Sequence, residues 1–236
     1  MTVSKTNGMV LLVTGASTGI GAATARAAVA SGYRVALCAR SEDKLKSLAE
    51  ELGQNHAFVQ RVDVTDFDDQ QRMVAAVVQH FGRIDAVFAN AGTGGEPGGF
   101  SGAPVESWKK MVDVNILGVA YTLRATLDEV KKRHGHVVLT GSVAGRRTLA
   151  GSMYSATKWA VSAIGYGLRE EIKGSGVRVT LLEPGMVDTP FFDERKPDAL
   201  KSEDIARAVV YALEQPPHVD VHELMVLPTP PRDDAD

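Results

Sequence analysis

Three residues in this 236-residue chain have types and spacing that could do chemistry together: Ser142, Tyr154 and Lys158. In a helix, positions four apart lie one turn apart on the same face. A lysine that close makes a phenol a better acid at neutral pH, and a nearby hydroxyl adds a hydrogen bond. Such a group could give a proton to an oxygen. A lone Tyr-x-x-x-Lys is also an ordinary solvated helix face, so the surrounding elements must decide between the two.

Those elements alternate. Short apolar, β-branched runs at residues 9–14, 33–39, 57–62, 84–89, 136–140, 177–182 and 221–227 read as strands. Continuous apolar runs suit strands buried on both faces of a parallel sheet. Between them, helical patterns are expected at 22–30, 42–52 (capped by Ser41), 66–81, 105–132 as one long helix, 153–173, and 202–215 capped by Ser202. Alternation of this kind predicts βαβ units with right-handed crossovers. The expected fold is α/β: a single doubly wound (Rossmann) domain over residues 1–236. Its parallel sheet of about seven strands carries helices on both faces. The ends, 1–8 and 229–236, are expected to be flexible.

Composition narrows the class. The formal net charge is -3 with no basic stripe, which argues against nucleic acid and anionic membranes as partners. No apolar run is long enough to span a bilayer and no leader pattern is seen, so a cytoplasmic protein is expected. The single cysteine, Cys38, rules out an internal disulfide and reads as a buried inert thiol. The histidines show no metal-ligand spacing, so no metal is expected.

In doubly wound sheets, ligands sit beyond the carboxyl ends of the strands. At the first such end stands Gly15-Ala-Ser17-Thr18-Gly19-Ile20-Gly21. Glycines let the chain turn tightly and approach a phosphate, and the following helix points its positive end at it. This predicts a dinucleotide site. At the second end, where binders of the unphosphorylated ribose place a carboxylate, stands Arg40, whose fork suits a 2′-phosphate. NADP(H) is therefore expected over NAD(H). At the third end, Asp63 and Val64 could meet the adenine, or Asp63 could serve the turn into the next helix. At the fourth, Asn90, Ala91 and Gly92 form a small, close-packing turn with a polar anchor.

Read together with Asn115, Pro184-Gly185 and Thr189, these motifs resemble the short-chain dehydrogenase/reductase family over nearly the whole chain. Ser142 stands one residue closer to Tyr154 than the family's usual serine, and Gly141 fills the usual place. The resemblance implies that Tyr154 is the general acid or base and that Ser142 holds the substrate oxygen. It also implies that Asn115 binds a water connecting Lys158 to solvent. A cation about 4 Å away at an effective dielectric of about 20 is worth roughly 4 kcal/mol. Lys158 could thus lower the phenol's pKa by up to about three units while binding the nicotinamide ribose. Pro184, Gly185, Val187 and Thr189 would hold the nicotinamide.

The implied activity is hydride transfer between NADP(H) and a ketone, aldehyde or secondary alcohol, as in a carbonyl reductase. Two alternatives stand: the same chemistry with NAD(H), and a non-catalytic NADP(H) sensor. The implied assembly is a homo-oligomer, tetramer or dimer, paired through the long helices. Residues 93–100, 142–144, 153 and 185–192 are expected to line the pocket. Arg146 and Arg147 could meet an anionic substrate near the pocket but read better as a solvated loop. Phe191 and Phe192, core or lid by type, read as a lid because they follow the nicotinamide loop.

Overall fold

The computed structural model describes residues 8–192 and 194–230. The expected flexible ends fall largely in 1–7 and 231–236, outside the described residues. Seven parallel strands form one sheet in the order β3-β2-β1-β4-β5-β6-β9. They are β1 (Val10–Thr14), β2 (Arg34–Ala39), β3 (Ala57–Arg61), β4 (Ala86–Ala89), β5 (His136–Thr140), β6 (Arg178–Pro184) and β9 (Glu223–Val226). The order reverses between β1 and β4, which opens a crevice at the carboxyl edge of the sheet.

Every residue of β1 is buried. Alternate side chains go to opposite layers, because successive Cβ atoms of a strand point to opposite faces. Leu11 and Val13 join Val35, Leu37 and Phe88 beneath α1 (Gly19–Ala30), α2 (Glu42–Leu52) and α8 (Ser202–Glu214). Val10 and Leu12 join Ala36, Val87 and Leu139 beneath α3 (Phe67–Phe81), α6 (Gly118–Lys131) and α7 (Met153–Glu171). Full burial of each such aliphatic side chain stabilises by about 1.5–3 kcal/mol. Cys38 is buried in the second layer, and that burial pushes its thiol pKa up, so it is inert.

The opposite edge of the sheet is tied by polar contacts. Asp85 accepts from the Val10 amide at 2.8 Å and from Arg83. Arg178 donates to the carbonyls of Ala212 and Leu213, both at 3.1 Å, at the end of α8. A cation there satisfies orphan carbonyls and the negative end of the helix dipole.

Several local expectations are corrected. The long helix at 105–132 is three pieces: α5 (Val105–Val112), a π-helical turn (Asp113–Leu117) and α6. Gly118 N–H bonds Asp113 O, five residues back. Such a wide turn is an insertion that helical periodicity does not reveal. Ser202 is the first residue of α8 rather than its cap. Lys201 holds the cap position, and its amide donates to Asp204 Oδ2 at 2.8 Å. Ser41 stands at the start of α2 without a side-chain cap bond. The stretch before α8 contains a short ribbon, β7 (Val187–Asp188) with β8 (Leu200–Lys201), and one turn, α4 (Gly99–Gly102), interrupts the loop after β4.

Candidate active site

The turn after β1 is built around contact. Gly15 has φ +66, and a Cβ on Gly21 would lie 2.3 Å from Gly15 O and 2.8 Å from Asn90 Nδ2. Only glycine permits both the left-handed turn and that approach. Asn90 stitches three strand ends together. Its Nδ2 donates to Thr14 O at 3.0 Å, its backbone N donates to Thr14 Oγ1 at 3.0 Å, and its Oδ1 accepts from Thr140 Oγ1 at 3.2 Å. The result is a rigid floor from which Ala91 and Gly92 face the crevice.

A cleft of about 440 Å³ runs over this floor. Of the predicted site residues, all but Gly21 and Asn115 line it. Gly21 lies against the turn itself. Asn115 is buried in the π turn. Its Oδ1 accepts from Thr93 N at 2.8 Å, and its Nδ2 donates to Thr93 O and Thr157 Oγ1, each at 3.0 Å. The side chain therefore clamps the cleft loop to α7, with both amide protons donated and the oxygen accepting one bond.

Arg40 and Asp63 stand at one end of the cleft. Arg40 forms no ion pair with the described residues. Burial alone would raise the Asp63 carboxyl, but the Thr65 amide (3.0 Å) and hydroxyl (2.8 Å), helped by Arg40 and Arg61, hold it below its ordinary value. Asp63 thus serves the turn into α3 and borders the cleft at once.

Ser142, Tyr154 and Lys158 meet at the other end. Ser152 caps α7 by accepting from Ser155 N at 3.0 Å, which places Tyr154 in the first turn and Lys158 one turn deeper. Lys158 Nζ donates to Thr140 O at 2.7 Å and lies 5.7 Å from the Tyr154 ring centroid. Burial lowers the ammonium to about 8. It raises the phenol to about 12, against a lowering hydrogen bond from Ser142. The expected drop in the phenol's pKa is absent here, because the ammonium is turned toward the Thr140 carbonyl and desolvation dominates. The phenol is therefore protonated at neutral pH. The shortened spacing does not displace Ser142, whose hydroxyl reaches the phenol. Gly141 cannot take its place comfortably: a Cβ there would lie 3.2 Å from Leu182 O and 3.3 Å from Glu183 Cγ.

Phe191 sits edge-on to Tyr154, with centroids 5.7 Å apart, and lines the cleft together with Phe192. Thr93 and Gly94 line the cleft, whereas Phe100 packs edge-on against Trp108 at 6.0 Å. Met153 and Ala144 do not line it. Sequence reasoning missed Thr140 as the lysine's anchor and Thr157 as the asparagine's partner. The first acts through a main-chain carbonyl, which no residue type advertises. No metal-binding cluster of His, Cys, Asp or Glu occurs among the described residues, and none of their helices is long and apolar enough to cross a membrane.

A family model described as short chain dehydrogenase matches residues 9–200. An uncharacterized oxidoreductase of Staphylococcus haemolyticus is 41% identical over 233 residues, spanning 96% of this chain and 100% of the relative. The alcohol dehydrogenase of the archaeon Thermococcus sibiricus, solved in complex with 5-hydroxy-NADP, superposes with a TM-score of 0.88 at 36% identity, covering 95% of this chain and 98% of that one. Serine dehydrogenase from Escherichia coli superposes with a TM-score of 0.86 at 34% identity, covering 93% and 98%. These likenesses define a class, oxidoreductases built on a Rossmann-like sheet. Within that class, the chain belongs to the short-chain dehydrogenase/reductase family.

Proposed function

We infer that the protein is an NADP(H)-dependent oxidoreductase acting on a ketone, aldehyde or secondary alcohol, with Tyr154 as general acid and base. One observation carries the reading: Ser142, Tyr154 and Lys158 converge at one end of a cleft whose other end presents Arg40, which has no ion pair among the described residues. The residues fit a dinucleotide. Gly15 makes the tight turn, and Gly21 lets α1 pack onto it without a Cβ in the way. Thr18, Gly19 and Ile20 at the start of α1 line the cleft, where a helix N-terminus suits a phosphate. When bound, NADP(H) would supply or accept hydride.

The chain's own residues would do the rest. Gly15, Ser17, Thr18, Gly19 and Ile20 would hold the pyrophosphate, with Asn90, Ala91 and Gly92 as the floor. Arg40 would read the 2′-phosphate, and Asp63 with Val64 would border the adenine. Pro184, Gly185, Val187 and Thr189 would orient the nicotinamide. Ser142 would fix the substrate oxygen, Tyr154 would protonate it, and Lys158 would hold the ribose. Asn115 would act by keeping Thr93 and α7 in register. The intact Tyr154–Lys158 pair argues against a sensor without turnover. The reading includes a single cytoplasmic domain that assembles as a dimer or tetramer across α6 and α7, near the exposed Leu117 and Trp159. Light scattering would measure that assembly.

The test is oxidation of NADPH, and separately NADH, across a panel of ketones and aldehydes. Arg40→Asp should lower the ratio of specificity constants for NADPH over NADH by on the order of tenfold to a hundredfold, the loss of one or two charge-assisted hydrogen bonds. An unchanged ratio would remove Arg40 as the reader.

The pH profile follows from Lys158. Its pKa is lowered to about 8, so the ammonium is lost as pH rises through that value. The specificity constant for NADPH reports groups that ionise in the free enzyme. It should therefore stay level at neutral pH and fall above about pH 8, approaching roughly tenfold per unit. A profile with no alkaline limb before the ordinary lysine range would contradict this assignment.

A further inference from the structure

Arg146 departs most from its sequence reading. It is not a solvated loop cation. Its Nε lies 2.5 Å from Glu183 Oε1, and the Glu183 side chain is 1% exposed. Its Nη2 lies 3.1 Å from Glu223 Oε1 on β9, a charge contact rather than an aligned hydrogen bond. The guanidinium also covers the ring of Tyr166 on α7, 5.2 Å from its centroid, and the Tyr166 hydroxyl donates to Glu223. One side chain thus joins the serine loop, the tyrosine helix, β6 and the edge strand.

A buried carboxylate is an expensive way to hold a fold together. Replacing a buried ion pair by well-packed apolar groups is often neutral or stabilising. Stability alone therefore gives little reason for Arg146 and Glu183, and their position offers another. Glu183 immediately precedes Pro184. Ser142 Oγ accepts from Ala144 N at 3.1 Å, inside the short 3₁₀ turn Val143–Gly145, and it lies 3.5 Å from Pro184 O. The hydroxyl's single proton therefore has two competing destinations, the Pro184 carbonyl and the Tyr154 phenol. The gap between the turn and β6 decides between them. Arg146 follows that turn directly, its amide donating to Val143 O at 3.0 Å, and its planar fork reaches across the gap to Glu183 on β6. On the other side the turn is seated on α7, where a Cβ on Gly145 would lie 2.7 Å from Lys158 O.

We propose that Arg146, paired with Glu183, is a positioning residue that holds the Ser142 hydroxyl at the long distance from Pro184 O that frees its proton for the site. The proposal rests on the reading of Ser142 given under Proposed function. It acts through geometry: a displacement of about 1 Å at a reacting group can cost up to a hundredfold.

Removing Arg146 alone would strand a buried carboxylate, so the test removes both charges in the double variant R146M/E183M. Its thermal midpoint and NADPH dissociation constant should match the parent, the latter within about twofold, while kcat for ketone reduction falls roughly tenfold. In an S142A background the same double change should cost less than about twofold, because the hydroxyl it positions is already gone. Arg146→Lys, which keeps the cation, should retain more of kcat than R146M/E183M. Full turnover in folded R146M/E183M overturns the proposal, as does an equal loss in both backgrounds. Should R146M/E183M not fold, Glu183→Gln is read by the same two comparisons. Unchanged kcat in S142A alone would refute the Ser142 reading instead, so the two failures are told apart.

Discussion

Tyr154→Phe should lower kcat for carbonyl reduction by about a thousandfold or more while NADPH binds as before. A positioned general acid contributes about 10²–10⁴-fold. A thousandfold loss corresponds to about 4 kcal/mol of transition-state stabilisation, at about 1.4 kcal/mol per factor of ten. The phenol is the proton-bearing group beside Ser142. Burial raises it to about 12, so at neutral pH nearly every molecule carries the proton to be donated. Phenylalanine keeps the ring and its edge contact with Phe191. It removes only the hydroxyl, so the fold and the glycine turn after β1 are preserved. Steady-state NADPH oxidation, paired with a fluorescence titration of NADPH, separates the two effects. Normal turnover in this variant would sink the proposed chemistry.

Gly21→Ala should weaken NADPH binding at least about tenfold and lower the thermal midpoint as well. The new methyl would stand 2.3 Å from Gly15 O and 2.8 Å from Asn90 Nδ2, well inside contact distance. Neither neighbour yields easily. Gly15 O belongs to a main-chain turn, and Asn90 is bonded to Thr14 and Thr140 across three strand ends. Relief must come from α1 lifting off the sheet, which moves its N-terminus away from the proposed pyrophosphate position. Overpacking of this kind costs about 1–3 kcal/mol of stability. Calorimetry for the midpoint and a fluorescence titration for the affinity would check both parts. Parent-like affinity would show that α1 is not packed onto the turn as described.

The two faces of the sheet were legible because burial writes itself into local pattern. The run Val10–Thr14 has no polar alternation, and it is a central strand with helices on both sides. Tyr154 and Lys158 were legible for a similar reason: four residues in a helix fix relative position without knowledge of anything else. The π turn at Asn115 was not. Its asparagine is bonded to Thr93 and Thr157, partners 22 and 42 residues away that no local pattern reveals. Arg146 was misread because a cation next to another arginine in a glycine-containing loop gives no sign of a carboxylate waiting 37 residues later.

The order and type of the elements, the glycine turn and the Ser142–Tyr154–Lys158 grouping follow from local periodicity and from backbone freedom. Which way Lys158 points, what Asn115 holds and what Arg146 pairs with depend on parallel crossovers that bring distant strand ends side by side. There, desolvation and competing carbonyls set the result. The stretch 142–158 marks a candidate site only when read with the glycine turn and the alternating strands and helices around it. The protonated state of Tyr154 and the placing of Ser142 come from burial and from the neighbouring ends of β5 and β6, which no local spacing encodes.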